Sequence, residues 1–224
     1  SQSDGDGKYY VGQKIGEIWG YHSNGLFQSD DEAATIDQSE LYAGKWGAGD
    51  VKYEDLDNDG KITKGEETIY NPGDKSIIGN KTPRYQFGIT VGFDYKNFDF
   101  EMFWQGTGKR DYMLSGAQFW GFPSQWDVPY TPALDYWTET NTDAYFPRPG
   151  WQNGGNRVTS DRYLQSAAYG RLKNLTVGYT IPKNLTTKWG ISRLRLYVTG
   201  ENLLTITPLN LSLIHISEPT RLRR

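Results

Sequence analysis

The stretch that most restricts what this chain can fold into is Tyr85 to Gln105, YQFGITVGFDYKNFDFEMFWQ. Tyr85, Phe87, Ile89, Val91 and Phe93 alternate with Gln86, Gly88, Thr90, Gly92 and Asp94, the period of two that makes a strand apolar on one face and small or polar on the other. The second half repeats it: Phe98, Phe100, Met102 and Trp104 share one face, Asp99, Glu101 and Gln105 the other, with Phe103 the exception. Asp94-Tyr95-Lys96-Asn97 between them is a polar turn that closes a β-hairpin. Two strands of about ten residues, at roughly 3.3 Å per residue and tilted near 40°, project to about 25 Å, the height of the apolar band of a membrane barrel. Strands of a soluble sandwich more usually break at about five or six residues, and their outer face meets water with more Lys, Glu and Thr.

Composition narrows the choice. A chain of 224 residues with 36% hydrophobic content can bury one core or supply part of a larger one. The net charge of -3 speaks against nucleic acid as a partner, because phosphate-binding domains carry a basic surplus. Low mean hydropathy does not exclude a barrel, whose strands are half apolar and whose loops are polar. No apolar run is long enough for a transmembrane helix, and the polar, Gly/Asp-rich start has no signal-peptide pattern, so the N-terminus reads as mature or interior sequence. The absence of Cys removes thiol catalysis, disulfides and Cys-based zinc sites. Aromatics reach 15%, with 8 Trp and 16 Tyr, which fits interfacial girdles, sugar-stacking platforms or a β-rich core equally well.

Taken in order, Gly12 to Tyr21 reads as a first strand of poor alternation. Residues 22–83 are too long for an ordinary connection and read as a self-structured loop, with Ser29 placed to cap a helix over Ser29 to Gln38. Inside it lies Asp55-Leu56-Asp57-Asn58-Asp59-Gly60-Lys61-Ile62-Thr63-Lys64-Gly65-Glu66. Carboxylates at positions 1, 3 and 5, Gly at 6, a backbone carbonyl at 7, an apolar residue at 8 and Glu at 12 match an EF-hand calcium loop. A hard cation needs six to eight oxygens, and only a tight turn at Gly60 lets one short segment supply them. The expected ligands are Asp55, Asp57, Asp59, Lys61 through its carbonyl, Thr63 and Glu66, with Ile62 pointing away to anchor the loop. The bland reading is an Asp/Asn/Gly-rich turn that binds nothing. Flanking helices are not evident, so Ca²⁺ here would be structural.

A second long loop covers 108–167 and carries Trp120, Trp126, Trp137 and Trp151, candidates to stack on a sugar ring or simply to pack the loop. Tyr169 to Ile181 is a strand stopped by Pro182; Arg171 and Lys173 fall on its apolar side, which suggests that this end leaves the membrane. Lys183 to Ser192 is a short connector. In the fifth strand, Arg193 to Leu204, Leu194, Leu196 and Val198 face one way and Arg195, Tyr197, Thr199 and Glu201 the other. Long and short connections thus alternate, as they do in outer-membrane barrels.

These residues resemble the SusC/RagA-type TonB-dependent outer-membrane transporters of Bacteroidetes. The resemblance is carried by Val11 to Ala33, Gly49 to Gly79, Pro83 to Asp111, Tyr136 to Arg148 and Tyr169 to Thr207, and it spans nearly the whole chain to about Asn210. It implies an all-β fold, a partial antiparallel transmembrane β-barrel of about five strands out of 22, with residues 1–210 forming a C-terminal portion. It further implies a Gram-negative outer-membrane location, active import of a glycan or oligopeptide driven by TonB, a SusD-like lipoprotein lid, and contact with membrane lipid. The plug and the TonB-contacting segment are expected to lie outside the chain. Arg195 and Glu201 are then the expected pore-lining residues, unless they simply pair with neighbouring strands. Residues 211–224, LSLIHISEPTRLRR, depart from the strand logic and read as a non-native tail, translated from a sequencing adaptor.

Nothing in the sequence assembles an active site. His22 and His215 are the two histidines, the acidic pairs Asp30/Asp31 and Glu66/Glu67 are adjacent rather than opposed, and the Asn-Leu-Thr sequons at Asn174 and Asn184 fall in or beside strands. The reading from another class is a soluble, calcium-stabilised carbohydrate-binding or adhesion β-module, which predicts tight turns at both ends of the strands.

Overall fold

A computed structural model describes residues 10–120, 126, 131–150 and 154–209. Among the described residues ten strands follow one another: β1 (Glu17–Tyr21), β2 (Ser23–Leu26), β3 (Val51–Tyr53), β4 (Lys75–Asn80), β5 (Arg84–Tyr95), β6 (Phe98–Lys109), β7 (Asp111–Met113), β8 (Leu164–Ser166), β9 (Tyr169–Thr180) and β10 (Arg195–Ile206). They divide between two units. Residues up to Thr82 together with Asp111–Gln165 form one, and Pro83–Arg110 with the residues from Ser166 onward form the other. No helix among the described residues is long and apolar enough to cross a membrane.

The second unit is a four-stranded antiparallel sheet in the order β10-β9-β6-β5, each strand 12 residues long. At about 3.3 Å per residue and a tilt near 40°, such strands project to about 30 Å, enough to cross a hydrocarbon layer. The pairing lines up five rows on one face: Tyr95-Phe98-Tyr179-Leu196, Phe93-Phe100-Val177-Val198, Val91-Met102-Leu175-Gly200, Ile89-Trp104-Leu172-Leu204 and Phe87-Gly106-Gly170-Ile206. Every member is apolar or glycine. Phe93 stacks on Phe100 at 5.0 Å between ring centres, and Phe98 tilts against Tyr179 at 4.6 Å. Most of these side chains stand exposed, which water would penalise and lipid would not.

The charged start of β9 has a different explanation from the one its alternation gives. A bulge between Phe103 and Trp104 sets Phe103 opposite Asn174 but Trp104 opposite Leu172, leaving Lys173 as an extra residue. Because side chains alternate every residue, one insertion exchanges the faces. Leu172 therefore joins the apolar row of Trp104, and Arg171 pairs with Gln105 on the polar face, so this end of β9 continues the apolar face instead of leaving it. β10 shifts register at the same level, between Glu201 and Leu204, with Asn202 at φ 52 and its side-chain carbonyl accepting from Lys173 Nζ at 3.2 Å. The exceptional Phe103 lies on the polar face opposite Thr90, and a Cβ at Gly88 would come within 3.2 Å of its ring.

The first unit is built from the two long connections. The expected first barrel strand is here β1, which pairs with β4 in a two-stranded ladder and not with the large sheet. Its burial explains this: Glu17, Gly20 and Tyr21 are all buried, with no alternation for a membrane to use. Of the five strands expected, four make the sheet among the described residues. Ser29 caps a helical turn at Asp30–Ala33 by accepting from Glu32 N at 3.1 Å, and the helix ends after that one turn, well short of Gln38. Phe27, Val51, Tyr53, Ile62 and Tyr163 are fully buried, and Phe146 nearly so.

At the centre sits Asp50, 0% exposed. Its carboxylate accepts from Arg148 Nε at 2.9 Å and from the second guanidinium nitrogen at 2.6 Å, from Asn156 Nδ2 at 2.8 Å and from Gly47 N at 2.9 Å. Asn156 Oδ1 in turn accepts from Val51 N at 2.9 Å, and Tyr53 donates its hydroxyl to Gly155 O at 2.7 Å. These bonds join the segment before β5 to the segment after β7. Asp50→Ala leaves a half-buried guanidinium and a buried amide without their acceptor, a loss of about 3 kcal/mol. Limited proteolysis of the receptor carrying the substitution is expected to cut within residues 22–83 or 108–167 about a hundredfold faster, with the strands of the sheet still protected.

Candidate functional site

The acidic loop folds around Asp55. Its Oδ1 accepts from Asn58 N at 2.7 Å and Asp59 N at 3.3 Å, and its Oδ2 from Gly60 N at 2.7 Å, while Asp57 accepts from Asp59 N and Asp59 from Lys61 N. Closing so short a turn needs left-handed backbone at Asn58, φ 60, and Gly60, φ 84, and glycine adopts it without strain. Ile62 is 0% exposed and anchors the loop, its N–H donating to Asp37 O at 2.7 Å while Asp37 N donates to Gly60 O at 3.0 Å.

The carboxylates that gather are Asp55, Asp57 and Asp74, each offering an oxygen within 4.8 Å of the others. Asp74 is buried and fixed by Leu56 N at 2.8 Å, Thr63 N at 2.7 Å and the Thr63 hydroxyl at 3.3 Å. Spacing could not reveal it, because it lies beyond the twelve-residue frame and arrives through the fold-back at Gly65 and Gly73. Glu66, the expected twelfth-position ligand, is exposed, stands outside this group of three, and its N–H donates to Asn71 O at 3.0 Å. Asp59 also stands outside the group. Partial desolvation raises the Asp57 carboxyl, helped by the nearby charges of Asp59 and Asp74. Desolvation pushes Asp55 the same way, but the N–H groups of Gly60, Asn58 and Asp59 outweigh it and hold its carboxyl below the usual range. A crowded, all-oxygen, anionic donor set suits a hard dication, with carbonyls and water completing the shell.

The four tryptophans do not form one platform. Trp120 lines a half-open cleft with Tyr136, Phe146, Arg148 and Arg157, and its ring meets Tyr163 edge-on at 4.6 Å. Trp126 is 84% exposed. Trp137 is packing: a Cβ at Gly49 would lie 2.5 Å from its ring, and its backbone N–H donates to Phe146 O at 3.0 Å. Trp151 lies outside the described residues.

Arg195 and Glu201 both fall on the polar face of the sheet. Arg195 reaches across β9 to Asp99 on β6, with Nε donating to Oδ1 at 3.0 Å and a second guanidinium nitrogen to Oδ2. The pair passes over Gly178, where a Cβ would collide with both side chains. Glu201 sits opposite Asn174, and the Thr176 and Thr199 hydroxyls bond at 3.0 Å between them. In the loop unit, His22 contacts Asp161 Oδ2 through Nδ1 at 2.8 Å and Ser76 Oγ through Nε2 at 2.7 Å. Asp161 also accepts from Ser23 N at 2.9 Å, so the row ties three loop segments together.

Known proteins decide what this combination belongs to. TonB-dependent receptor P3 of Formosa agariphila is 34% identical over 202 residues, covering 88% of this chain and 18% of the relative. TonB-dependent receptor P26 of the same organism is 27% identical over 201 residues, covering 89% and 19%. The chain is a segment of an outer-membrane TonB-dependent receptor of the SusC/RagA type. Among solved structures, a chain of the RagAB peptide transporter superposes with a TM-score of 0.58 at 19% identity, covering 87% of this segment and 20% of that chain. A chain of the RagAB peptide importer in its open-open state does so at 0.54 and 17%, covering 92% and 21%. No family model matches. The receptor segment spans about a fifth of its relatives' length. The relatives are receptors and transporters, and the segment is not an enzyme.

The Arg195–Asp99 bridge over Gly178 sets an expectation for the barrel wall. Gly178→Ala displaces two flexible side-chain ends and is expected to lower stability slightly, by the loss of a partly exposed ion pair. Asp99→Ala should lower it equally, and the double variant should add nothing further in denaturant unfolding of the detergent-solubilised receptor.

Proposed function

We propose that the receptor containing this segment imports an oligopeptide or glycan across the outer membrane. In this reading the four long strands are barrel wall, the loop unit lies on the extracellular side, and a plug elsewhere in the receptor is displaced by energy relayed through TonB. A SusD-like lipoprotein covers the loops. The observation that carries the reading is the set of five apolar rows on strands long enough to cross a membrane, joined by connections that fold into a unit of their own. A soluble calcium-stabilised module would leave that face and both sheet edges in water. Oligopeptide is the first cargo to test, because the superposable neighbours are named as peptide transporters. Deletion of the receptor's gene is expected to abolish uptake of a labelled peptide mixture while leaving other nutrients unaffected. Loss of labelled oligosaccharide uptake alone would replace peptide by glycan, and no loss of either would overturn the import reading.

Within the loop unit, Asp55, Asp57 and Asp74 hold a structural Ca²⁺, with the Lys61 carbonyl and Thr63 as further oxygen donors. Terbium luminescence on the purified receptor tests this. Asp74→Asn is expected to weaken binding at least about tenfold, and Glu66→Gln to leave it nearly unchanged. The reverse order would restore the twelve-residue EF-hand ligand set, and no binding by the unaltered receptor would leave the loop a metal-free turn.

A further inference from the structure

The connection between β9 and β10 carries a surface that neither the calcium loop nor the cargo reading uses. Pro182 opens a helical turn, Lys183–Thr186, which runs into a 3-10 turn, Thr187–Trp189, and Gly190 ends it in left-handed conformation at φ 70. Leu185 N donates to Pro182 O at 3.0 Å and Ile191 N to Thr186 O at 3.0 Å, with Thr186 buried beneath. This well-bonded turn nevertheless presents Leu185 at 44%, Trp189 at 60% and Ile191 at 39% exposure. Lys183, Lys188 and Arg193 are exposed beside them, and residues 182–200 contain no Asp or Glu.

The position decides what such a surface meets. The turn lies at the same end of the sheet as the Lys96-Asn97 hairpin, since Thr180 N donates to Asn97 O at 2.8 Å and Tyr179 pairs with Phe98. That end begins the apolar face with the exposed row Tyr95, Phe98 and Leu196, with Tyr179 among them, so the patch lies at the edge where the apolar face starts. Lys96, Lys183, Lys188 and Arg193 stand at that end against Asp94, while Arg195 and Asp99 neutralise each other on the polar face, leaving three positive charges. Aliphatic and indole side chains among cations, at the rim of a membrane-spanning sheet, match the boundary between acyl chains and anionic headgroups.

We propose that the β9–β10 turn docks on the membrane itself, with Leu185, Trp189 and Ile191 in the interfacial layer and Lys183, Lys188 and Arg193 on the phosphates of anionic phospholipid. The proposal rests on the barrel reading, and its test separates the two. The full-length receptor, with any native cysteines replaced, receives a fluorescent label at Asn184→Cys or, separately, at Val198→Cys. It is reconstituted in phosphatidylethanolamine bilayers with a minority of phosphatidylglycerol, or in phosphatidylcholine alone, with brominated lipids as quenchers. The label at 198 reports whether β10 faces acyl chains. The expected result is quenching at 198 in both membranes, and quenching at 184 that is strongest with phosphatidylglycerol and mostly lost in the Lys183→Gln, Lys188→Gln, Arg193→Gln variant. A label at 184 open to aqueous iodide while 198 is quenched by lipid overturns the docking and leaves the barrel standing. Protection at 184 from both quenchers also overturns it, assigning the patch to a protein partner. A label at 198 that lipid does not quench removes the barrel reading and the docking together.

Discussion

The loop unit depends on one buried carboxylate. Asp50 sits directly after a left-handed glycine, Gly49 at φ 82, and just before β3, so its backbone and side chain act on different segments. Phe27 N donates to Asp50 O at 2.9 Å and Gly49 N donates to Phe27 O at 2.7 Å, which holds the first loop together locally. The side chain reaches Arg148 and Asn156 in the second loop. A buried charge is tolerated only with such complete hydrogen bonding, and the same requirement makes the contact selective: no other pairing of the two loops would satisfy it. Gln38 extends the network, donating to Val51 O at 3.0 Å and accepting from Tyr53 N at 2.9 Å, so an amide side chain stands in for a strand that is not there.

The sheet obeys a different constraint, the period of two. It needs no buried charge and almost no buried side chain of its own, because its apolar face is turned outward and its polar face is small. Gly88 leaves room on β5 for Phe103, and Gly178 leaves room for the Arg195–Asp99 bridge, so glycine serves here as space and not as backbone freedom. The bulge at Lys173 shows how strict the period is. A charged residue that would otherwise break the apolar face is accommodated by inserting one residue and exchanging the faces beyond it.

That division also sets what the sequence makes legible. Alternation over Tyr85 to Gln105 is a local property, and the strands, their turn and their faces follow from it directly. Ser29 as a cap and Ile62 as an anchor are local as well. Asp74, Arg148 and the pairing of β1 with β4 are products of tertiary closure, and no spacing rule reaches them. The twelve-residue frame points to Glu66 because it takes every oxygen from one segment, and it cannot register that the chain folds back and brings the Asp74 carboxylate beside Asp55 and Asp57 from the far side of a Gly65–Gly73 contact. The bulge was hidden for the opposite reason: in the sequence it is a single residue out of phase.

Why the long connections fold at all is a question of conformational entropy. Closing a loop costs little more when its length doubles, so length alone would not force order on residues 22–83 or 108–167. Ordering each residue does cost about 1 to 2 kcal/mol, and a polar loop without a core could not offset it. Here each long connection supplies half of a core. Tyr53, from the first, meets Gly155, from the second, and Phe146 and Tyr163 from the second gather the ring of Phe119, while Asp50 fixes the register between the two. Neither half buries enough surface to stand alone, so the two order together or not at all. A receptor loop built this way presents one rigid surface instead of two independent ones, and any partner or cargo that meets it meets a preformed shape.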